Sequence, residues 1–209
     1  MTIQQIALAR KIPHLVHFTR LENLGSILNH GLLTRVECTA RQLASINTDM
    51  HRLDNQEAVC LSVSFPNYKM FYRYRMENPT AKWAVLGIKP SVLWEKNCAF
   101  CNENAASANV SCIPIDERRG LAAFSGMFND FGEKVRPSLK IPDHYPTNPQ
   151  AEVLVFDPIE PAYIFAVALQ QSEPLATYSQ KYGNAYRFVH GPSFFLPRTD
   201  YAAWKRPNG

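Results

Sequence analysis

The sequence predicts an α+β fold dominated by short strands, with its clearest helices early in the chain. The apolar residues fall into short runs, each long enough for a single strand. Fifteen prolines against nine glycines favour stiff connections between short elements over long helices. With 209 residues, of which 46% are hydrophobic and 19% charged, the chain has the length and composition of one globular domain over residues 1–209.

The first predicted strand, 15–19, leads directly into the first predicted helix. Thr19 and Glu22 have the spacing of a capping box, and apolar residues then recur at helical intervals. Gly31 is predicted to end this helix. Residues 34–57 are polar and mixed, which favours another helix and an exposed loop.

Further strands and one helix are predicted beyond residue 57. The strands are 58–64, 83–88, 152–156, 163–167 and a last one near 186–189. The helix follows Pro66 over residues 67–76. Residues 97–147 show little periodicity, so we expect a long loop insertion in the single domain there.

Charge and hydropathy exclude some classes of protein. The net charge of +4, from 22 basic and 18 acidic residues, is mildly basic and compatible with a polyanionic partner. The longest apolar run, 162–169, has eight residues, whereas a membrane span needs about 20, so no membrane partner is expected. The N-terminus lacks the apolar stretch of a signal peptide, and five cysteines, an odd number, favour a reduced, cytoplasmic protein.

The first candidate site residues interrupt the apolar strand at 15–19. His17 and Thr19 bring polar side chains to a position where packing alone rarely requires them. One interpretation is a satisfied core histidine beside a helix N-cap. The other is a histidine whose ring and backbone face a ligand at the end of the strand, and both stay open at this point.

The second candidate pairs serines with an aromatic helix. Ser62 and Ser64 share one face of their predicted strand. The helix that follows carries an aromatic face among cations: Tyr68, Phe71, Tyr72 and Arg75 at helical spacing, with Lys69 and Arg73 alongside. A core helix would explain the aromatic residues alone. Aromatic planes beside cations also suit stacked bases and phosphates.

The third candidate is Glu152, which begins a strand whose next four residues are apolar. A carboxylate is costly to bury unless it is paired, so we expect Glu152 in a cleft at the edge of the sheet. A solvated glutamate at the start of a strand is the alternative. Gln150 lies two residues earlier, in the preceding loop.

Other motifs point away from metal and from common nucleotide folds. Cys98, Cys101 and Cys112 lack the fourth ligand that a structural zinc site needs, so no metal is expected. The glycine-rich fingerprints of Rossmann and P-loop nucleotide sites do not occur in the sequence.

In chain order, these candidates resemble the active site of ADP-ribosyltransferases. That superfamily carries a His or Arg motif, a Tyr or Ser-x-Ser motif and a (Gln/Glu)-x-Glu turn, which match His17, Ser62-Val-Ser64 and Gln150-Ala-Glu152. More specifically, residues 17–32 and 149–155 resemble the DarT family of DNA ADP-ribosyltransferase toxins, within a likeness over roughly residues 12–170. The resemblance implies an ADP-ribosyltransferase-like fold of two packed central β-sheets with flanking helices.

What the resemblance implies is an enzyme that transfers ADP-ribose from NAD+ onto a base of single-stranded DNA. Glu152 would be the catalytic carboxylate, and Arg52 matches an arginine that contacts the diphosphate and assists transfer. NAD+ would be bound by residues of the first two motifs and the helix after them: His17, Phe18, Thr19, Ser62 and Ser64, with Tyr68 or Phe71 stacked on nicotinamide.

The same resemblance suggests how DNA is bound. Gln150 would hydrogen-bond a base edge, and the predicted DNA contacts on the helix are Lys69, Tyr72, Arg73 and Arg75. The sequence departs from the thymine-modifying branch between about residues 45 and 75, so we expect guanine before thymine as the target. Chemistry on a base requires it unstacked, which favours single strands.

A toxin of this family implies a cognate ADP-ribosyl hydrolase antitoxin, of NADAR type or macrodomain type. Two alternatives remain open. The chain could be an ADP-ribosyltransferase with an RNA or protein acceptor, or an NAD glycohydrolase. It could also be a non-catalytic nucleic-acid-binding module in which Glu152 is structural.

Overall fold

The computed structural model describes residues 1–46, 57–172 and 175–205. The strands are β1 (Leu15–Arg20), β2 (Val59–Val63), β3 (Trp83–Ile88), β4 (Cys98–Cys101), β5 (Glu152–Val155), β6 (Ile164–Leu169) and β7 (Arg187–His190). The α-helices are α1 (Ile3–Ala9), α2 (Leu24–His30), α3 (Arg35–Ala40), α4 (Tyr68–Glu77), α5 (Val92–Glu95), α6 (Ala108–Ser111), α7 (Gly120–Gly126), α8 (Arg136–Leu139) and α9 (Leu175–Tyr182). Single turns of 3-10 helix are Leu21–Asn23, Ile115–Arg118, Pro161–Tyr163, Gly183–Ala185, Pro192–Phe195 and Tyr201–Trp204.

The seven strands form one mixed sheet in the order β4-β5-β2-β1-β3-β6-β7. Its pairs are antiparallel except β6 with β7, which run parallel. The predicted α+β class is therefore confirmed. The two packed sheets implied by the resemblance are instead one continuous sheet, because β1 pairs with β2 and so joins β4-β5-β2 to β1-β3-β6-β7 edge to edge.

Both faces of the sheet are covered. Leu15 and Val16 are neighbours on β1, so their side chains point to opposite faces. Leu15 belongs to the largest hydrophobic cluster, with Phe124 of α7 and Phe128, whereas Val16 packs in a second cluster with Phe71 of α4. The sheet is thus the middle layer of the fold.

The region around Thr19 differs from the prediction. Thr19 still pairs with Ala84 in β1, so the chain stays extended to Arg20 and the capping box with Glu22 does not form. A 3-10 turn precedes α2 instead. Gly31 ends α2 as predicted: its φ is 86°, and a Cβ there would lie 2.2 Å from the carbonyl oxygen of Ile159.

The long loop predicted over 97–147 is instead partly regular. β4 pairs with β5 inside the sheet, and its four residues are buried. Helices α6, α7 and α8 follow. These elements are four to seven residues long, which is too short to leave a periodic signal in the sequence.

Candidate active site

A cleft opens where the two halves of the sheet separate. The pairing of β1 with β2 covers Leu15 with Val63 and Val16 with Ser62. Beyond these two pairs, residues 17–20 of β1 stay paired with β3 alone, whereas residues 59–61 of β2 pair with β5. The strands therefore diverge, and the cavity between them is bounded by β1, β2, α2, α3 and α4.

Several predicted site residues line this cavity together. They are His17, Phe18 and Thr19 from β1, Ser62 from β2 and Glu152 from the start of β5. Three segments far apart in sequence are thus brought to one cleft. The lining also includes residues that sequence reasoning did not assign to the cofactor: Asn23, Asn67, Met70, Tyr74 and Asn104.

His17 bridges the gap between the diverging strands. Its Nδ1 lies 2.9 Å from the carbonyl oxygen of Cys60 on β2. A carbonyl oxygen can only accept, so Nδ1 carries the hydrogen and Nε2 keeps its lone pair. Burial lowers the pKa of His17, partly opposed by the bond to Cys60. The ring is therefore neutral at physiological pH, with one nitrogen held by the protein and the other available as an acceptor.

Thr19 is buried and ties the end of β1 to the chain after α3. Its Oγ1 accepts from Nδ2 of Asn23 at 3.1 Å. Asn23 also donates to the carbonyl of Ile46 at 2.9 Å and accepts from the amide of Ile46 at 2.8 Å. One amide side chain thus joins β1 to the segment after α3, and all three residues line the cleft.

Glu152 is buried, with 5% of its surface exposed, and accepts hydrogen bonds from two different segments. The amide of Ala105 donates to Oε2 at 2.8 Å. Asn104 Nδ2 and Asn67 Nδ2 lie 3.3 Å and 3.5 Å from Oε1. These donors suit an ionised carboxylate, which can only accept.

The two asparagine amides are themselves oriented. Met70 donates its backbone N–H to Oδ1 of Asn67, at the N-cap of α4, and Ala106 donates its N–H to Oδ1 of Asn104. Because each oxygen is occupied by a backbone donor, each nitrogen faces Glu152. Ser62 completes the arrangement, since its Oγ accepts from the backbone N–H of Asn67 at 3.2 Å.

Ser64 is not where the sequence predicted it. It follows β2 with a φ of 64°, which turns its side chain out of the alternation that would place it beside Ser62. Its Oγ donates to the carbonyl of His144 at 3.1 Å. Ser64 lies outside the cleft lining and binds a neighbouring segment instead of a sugar.

Tyr68 and Phe71 are also misplaced by the prediction, because α4 turns that face into the core. Phe71 is 1% exposed and stacks on Phe18 with ring centroids 4.5 Å apart. Tyr68 is buried, and burial is the main cause that raises its pKa to about 12. The residues that α4 turns towards the cleft are Met70 and Tyr74.

The predicted DNA contacts on α4 divide into two groups. Lys69 donates to the carbonyl of Trp204 at 2.9 Å, and Arg75 donates to that of Phe195 at 2.6 Å, so both hold the C-terminal segment. Tyr72 is 56% exposed, and Arg73 is exposed beside Glu77, 3.7 Å away. The α4 surface thus retains one aromatic and one cationic side chain in contact with solvent.

The remaining predicted residues are placed as follows. Gln150 is half-buried in the turn before β5, where its backbone N–H donates to Oδ1 of Asn148 at 2.9 Å. Arg52 lies outside the residues that the structure describes.

The cysteines and the membrane search add little to the site. Cys98 and Cys101 belong to different hydrophobic clusters, and burial is the main cause that raises the pKa of Cys98 to about 12. Across the described ranges, no group of three or more His, Cys, Asp or Glu side chains could hold a metal ion. Within the same ranges, no helix has the length and hydropathy of a membrane span.

Comparison with known families decides between the classes left open by the sequence. A family model described as "ssDNA thymidine ADP-ribosyltransferase, DarT" matches residues 16–192. The chain belongs to the DarT family. The predicted enzyme class, an NAD-dependent ADP-ribosyltransferase acting on single-stranded DNA, is that of this family and is confirmed at that level. A search among curated proteins finds no match.

Solved structures of DarT proteins share the fold. The chain is similar to Thermus sp. 2.9 DarT in complex with ADP-ribosylated ssDNA, at 12% identity and a TM-score of 0.58, covering 89% of this chain and 97% of that one. The same Thermus DarT in complex with NAD+ gives 13% identity and a TM-score of 0.56, over 89% and 98%.

A third similar structure is Thermosipho africanus DarTG in complex with ADP-ribose, at 18% identity, with a TM-score of 0.57. That likeness covers 87% of this chain and 50% of the DarTG chain, so the present chain spans half of its length. At these identities the likeness is one of fold.

Sequence reasoning missed two residues that hold Glu152. Asn67 follows Pro66 at the start of a predicted helix, which is a common N-cap position and gave no hint of a second contact. Asn104 lies in the stretch 97–147, where the sequence predicts a long loop and no contact with Glu152. Asn104 lies near Glu152 because β4, which was not predicted from the sequence, pairs with β5 and sets Cys101 opposite Glu152.

Proposed function

We propose that this chain transfers ADP-ribose from NAD+ to a base of single-stranded DNA, with Glu152 as the catalytic carboxylate. The observation that supports this most is the placement of a buried carboxylate, held by three donors, in the same cleft as a neutral histidine. The family match and the NAD+ complex of the Thermus DarT support NAD+ as the co-substrate.

In this reaction the bond between the ribose C1′ and the nicotinamide nitrogen breaks, and its electron pair leaves with nicotinamide, which becomes neutral. C1′ passes through a state with oxocarbenium character, as in glycoside cleavage. A base nitrogen that bears a hydrogen then attacks C1′ and forms the new C–N bond. Its proton passes to the carboxylate of Glu152 and from there to water.

The cleft residues divide these tasks. The negative charge of Glu152 stabilises the positive charge on the ribose, and its oxygens can accept from the 2′-hydroxyl. His17 offers Nε2 as an acceptor and its backbone to the carboxamide of nicotinamide. Thr19 and Ser62 accept from Asn23 and Asn67, which holds the two oxygens in place and leaves each O–H to donate to a sugar oxygen of NAD+. Tyr74 replaces Phe71 as the aromatic residue beside the cofactor.

Two bases are candidates for the acceptor. The family model is named for thymidine, which favours thymine. Guanine rests on the Ser-Phe-Pro-Asn stretch at 64–67, where the sequence departs from the thymine-modifying branch, and on the Gln150-x-Glu152 turn, which resembles that of guanine-modifying relatives outside DarT. We place thymine first and guanine second.

The test is mass spectrometry of mixed-sequence single-stranded DNA after incubation with the protein and NAD+. The expected product carries one added ADP-ribose on DNA and none on an RNA of the same sequence, and Glu152→Ala abolishes it. Fragmentation names the base. NAD+ that stays intact with every DNA would contradict the proposal, and ADP-ribose released with unmodified DNA would indicate a glycohydrolase.

We also propose that the protein acts as a toxin neutralised by an ADP-ribosyl hydrolase of macrodomain or NADAR type. A DarTG protein among the similar structures supports this. Induced expression of the wild-type chain should arrest growth, whereas Glu152→Ala should not. Co-expression of such a hydrolase should restore growth. Equal growth of cells that express the wild-type chain and cells that express Glu152→Ala would contradict the toxin role.

A further inference from the structure

The segment 142–147, which leads into the turn before Glu152, has an unusual arrangement of its backbone. Six consecutive carbonyl oxygens, from Pro142 to Thr147, each accept a hydrogen bond from a side chain. The donors are Arg136, Arg198, Ser64 and, at one carbonyl, Arg10. An irregular segment with this many bonds has little freedom to move.

Arg136, on α8, makes the largest share of these bonds. Its Nη1 donates to the carbonyl of Tyr145 at 2.8 Å and to Oγ1 of Thr147 at 3.0 Å. Its Nη2 donates to the carbonyls of Pro142 at 3.2 Å and Asp143 at 3.4 Å. The planar fork of a guanidinium spans acceptors that lie several ångströms apart, whereas the compact ammonium of a lysine donates from a single atom.

Arg198 holds the far end of the segment from the C-terminal side. It is 3% exposed and donates to the carbonyls of Pro146 at 2.9 Å and Thr147 at 3.1 Å. Its Nε also donates to Asp200 at 2.8 Å, which orients the guanidinium and neutralises its charge. A buried arginine thus binds backbone, and it is not among the residues that line the cavity.

Ser64 connects the same segment to the sheet. Its backbone N–H donates to the carbonyl of His14 at 3.0 Å, just before β1, while its Oγ donates to the carbonyl of His144. The positive φ at Ser64 is what aims the hydroxyl at this carbonyl. The segment is therefore fixed relative to both strands at the point where the sheet divides.

The chain then enters a tight turn that carries Gln150 and Glu152. The backbone N–H of Gln150 donates to Oδ1 of Asn148, and the backbone N–H of Ala151 donates to the Asn148 carbonyl at 3.1 Å. Glu152 follows directly in β5. The turn at Asn148 fixes Gln150 relative to Glu152. The two arginines and Ser64 fix the segment from which this turn starts.

We propose that Arg136, Arg198 and Ser64 are positioning residues that fix this segment, so that Gln150 and Glu152 present the acceptor base to the ribose at one angle. The inference rests on the proposed function. A shift of about 1 Å in a reacting group can cost about a hundredfold in rate. Water needs no such alignment, so a loosened segment favours hydrolysis of NAD+ over transfer to DNA.

The experiment measures two products of the same reaction mixture: ADP-ribosylated oligonucleotide and free ADP-ribose. Arg136→Lys keeps the charge but loses the fork, and Ser64→Ala removes the single bond to His144. Arg187→Lys, at an exposed arginine on β7, is the matched control. Circular dichroism and thermal midpoints confirm that each variant is folded.

We expect Arg136→Lys to lower the ratio of transfer to hydrolysis by about tenfold or more, with hydrolysis in the absence of DNA close to wild type. Ser64→Ala should change the ratio in the same direction and less. If both variants lose transfer and hydrolysis in parallel, or keep the wild-type ratio, the positioning role is wrong. A wild-type protein that modifies no DNA would instead contradict the proposed function itself.

Discussion

The two walls of the cleft are built by different means. On one wall, His17 and Thr19 belong to β1 and are placed by its ladder with β3. On the other, Glu152 begins β5 but is held by donors from the loop after β4 and from the start of α4. The strand ladder sets the geometry of the first wall, whereas hydrogen bonds from a loop and from a helix N-cap set that of the second.

This difference bears on what each wall can do. A strand backed by a packed core has its backbone placed by the ladder, so one hydrogen bond each is enough to orient His17 and Thr19. A catalytic carboxylate needs a defined direction as well as a place, and hydrogen bonds from two segments supply that direction. Substitutions should therefore act on stability at the first wall and on rate at the second.

The largest stability effect is expected behind the strand wall. Phe71 is 1% exposed and contacts the rings of Phe18, Trp83 and Phe195 at centroid distances of 4.5, 5.5 and 5.3 Å. Phe71→Ala should lower the free energy of unfolding by about 3–5 kcal/mol, from lost burial and a cavity. Urea denaturation measures it.

The adjacent aromatic on the same helix is the control. Tyr72 is 56% exposed, so Tyr72→Ala should change the free energy of unfolding by less than about 0.5 kcal/mol. If Phe71→Ala were as stable as Tyr72→Ala, the aromatic cluster would not support β1, and the contrast between the walls would fail.

An effect on rate is expected from Asn104. Asn104→Ala removes one donor to Oε1 of Glu152 and leaves the Ala105 amide in place. Hydrogen bonds to charged groups contribute about 1.5–3 kcal/mol, so transfer should slow by about 10- to 100-fold. Initial rates at saturating NAD+ measure it, with Asn102→Ala, exposed in the same loop, as the control.

Both variants at this loop should keep the thermal midpoint of the wild type. A slow Asn104→Ala protein that is also strongly destabilised would mean that Asn104 serves the fold and not the direction of the carboxylate.

The smallest effect concerns His17 and pH. Burial lowers the pKa of His17 below its ordinary value of 6.5, so the unfolded chain binds more protons than the folded one below about pH 6.5. The stability should therefore fall as the pH is lowered from 7 to 5. His17→Asn can still donate to the Cys60 carbonyl but does not titrate, so its thermal midpoint should fall less steeply.

Other histidines contribute to the same pH dependence. Burial also lowers the pKa of His14 and of His144, so part of the slope should remain in the His17→Asn protein. Identical slopes for wild type and His17→Asn would mean that His17 titrates alike in the folded and unfolded chains.

The strands are the part of the fold that the sequence predicted well. β3 has the predicted bounds, and the strands around His17, Ser62 and Glu152 lie within two residues of their predicted ends, because apolar runs specify strands directly. His17 and Glu152 were found because a polar residue in such a run is conspicuous.

The rest depended on contacts distant in sequence. Asn67 and Asn104 are ordinary cap and loop residues until the sheet brings them to Glu152, 85 and 48 positions away. Ser64 looked like the partner of Ser62 because alternation was assumed to continue, and a positive φ ended it. Phe71 and Tyr68 were misjudged because an aromatic face on a helix has the same spacing whether it meets a cofactor or a core.

The most direct test of the role of Glu152 compares NAD+ binding with transfer in Glu152→Gln. The amide keeps the shape of the side chain and removes its charge, so NAD+ affinity by calorimetry should stay within a few-fold of wild type. Transfer to single-stranded DNA should fall on the order of a thousandfold, and Glu133→Gln, at an exposed carboxylate, should be unchanged. Transfer by Glu152→Gln at the wild-type rate would contradict the assignment of Glu152 as the catalytic carboxylate.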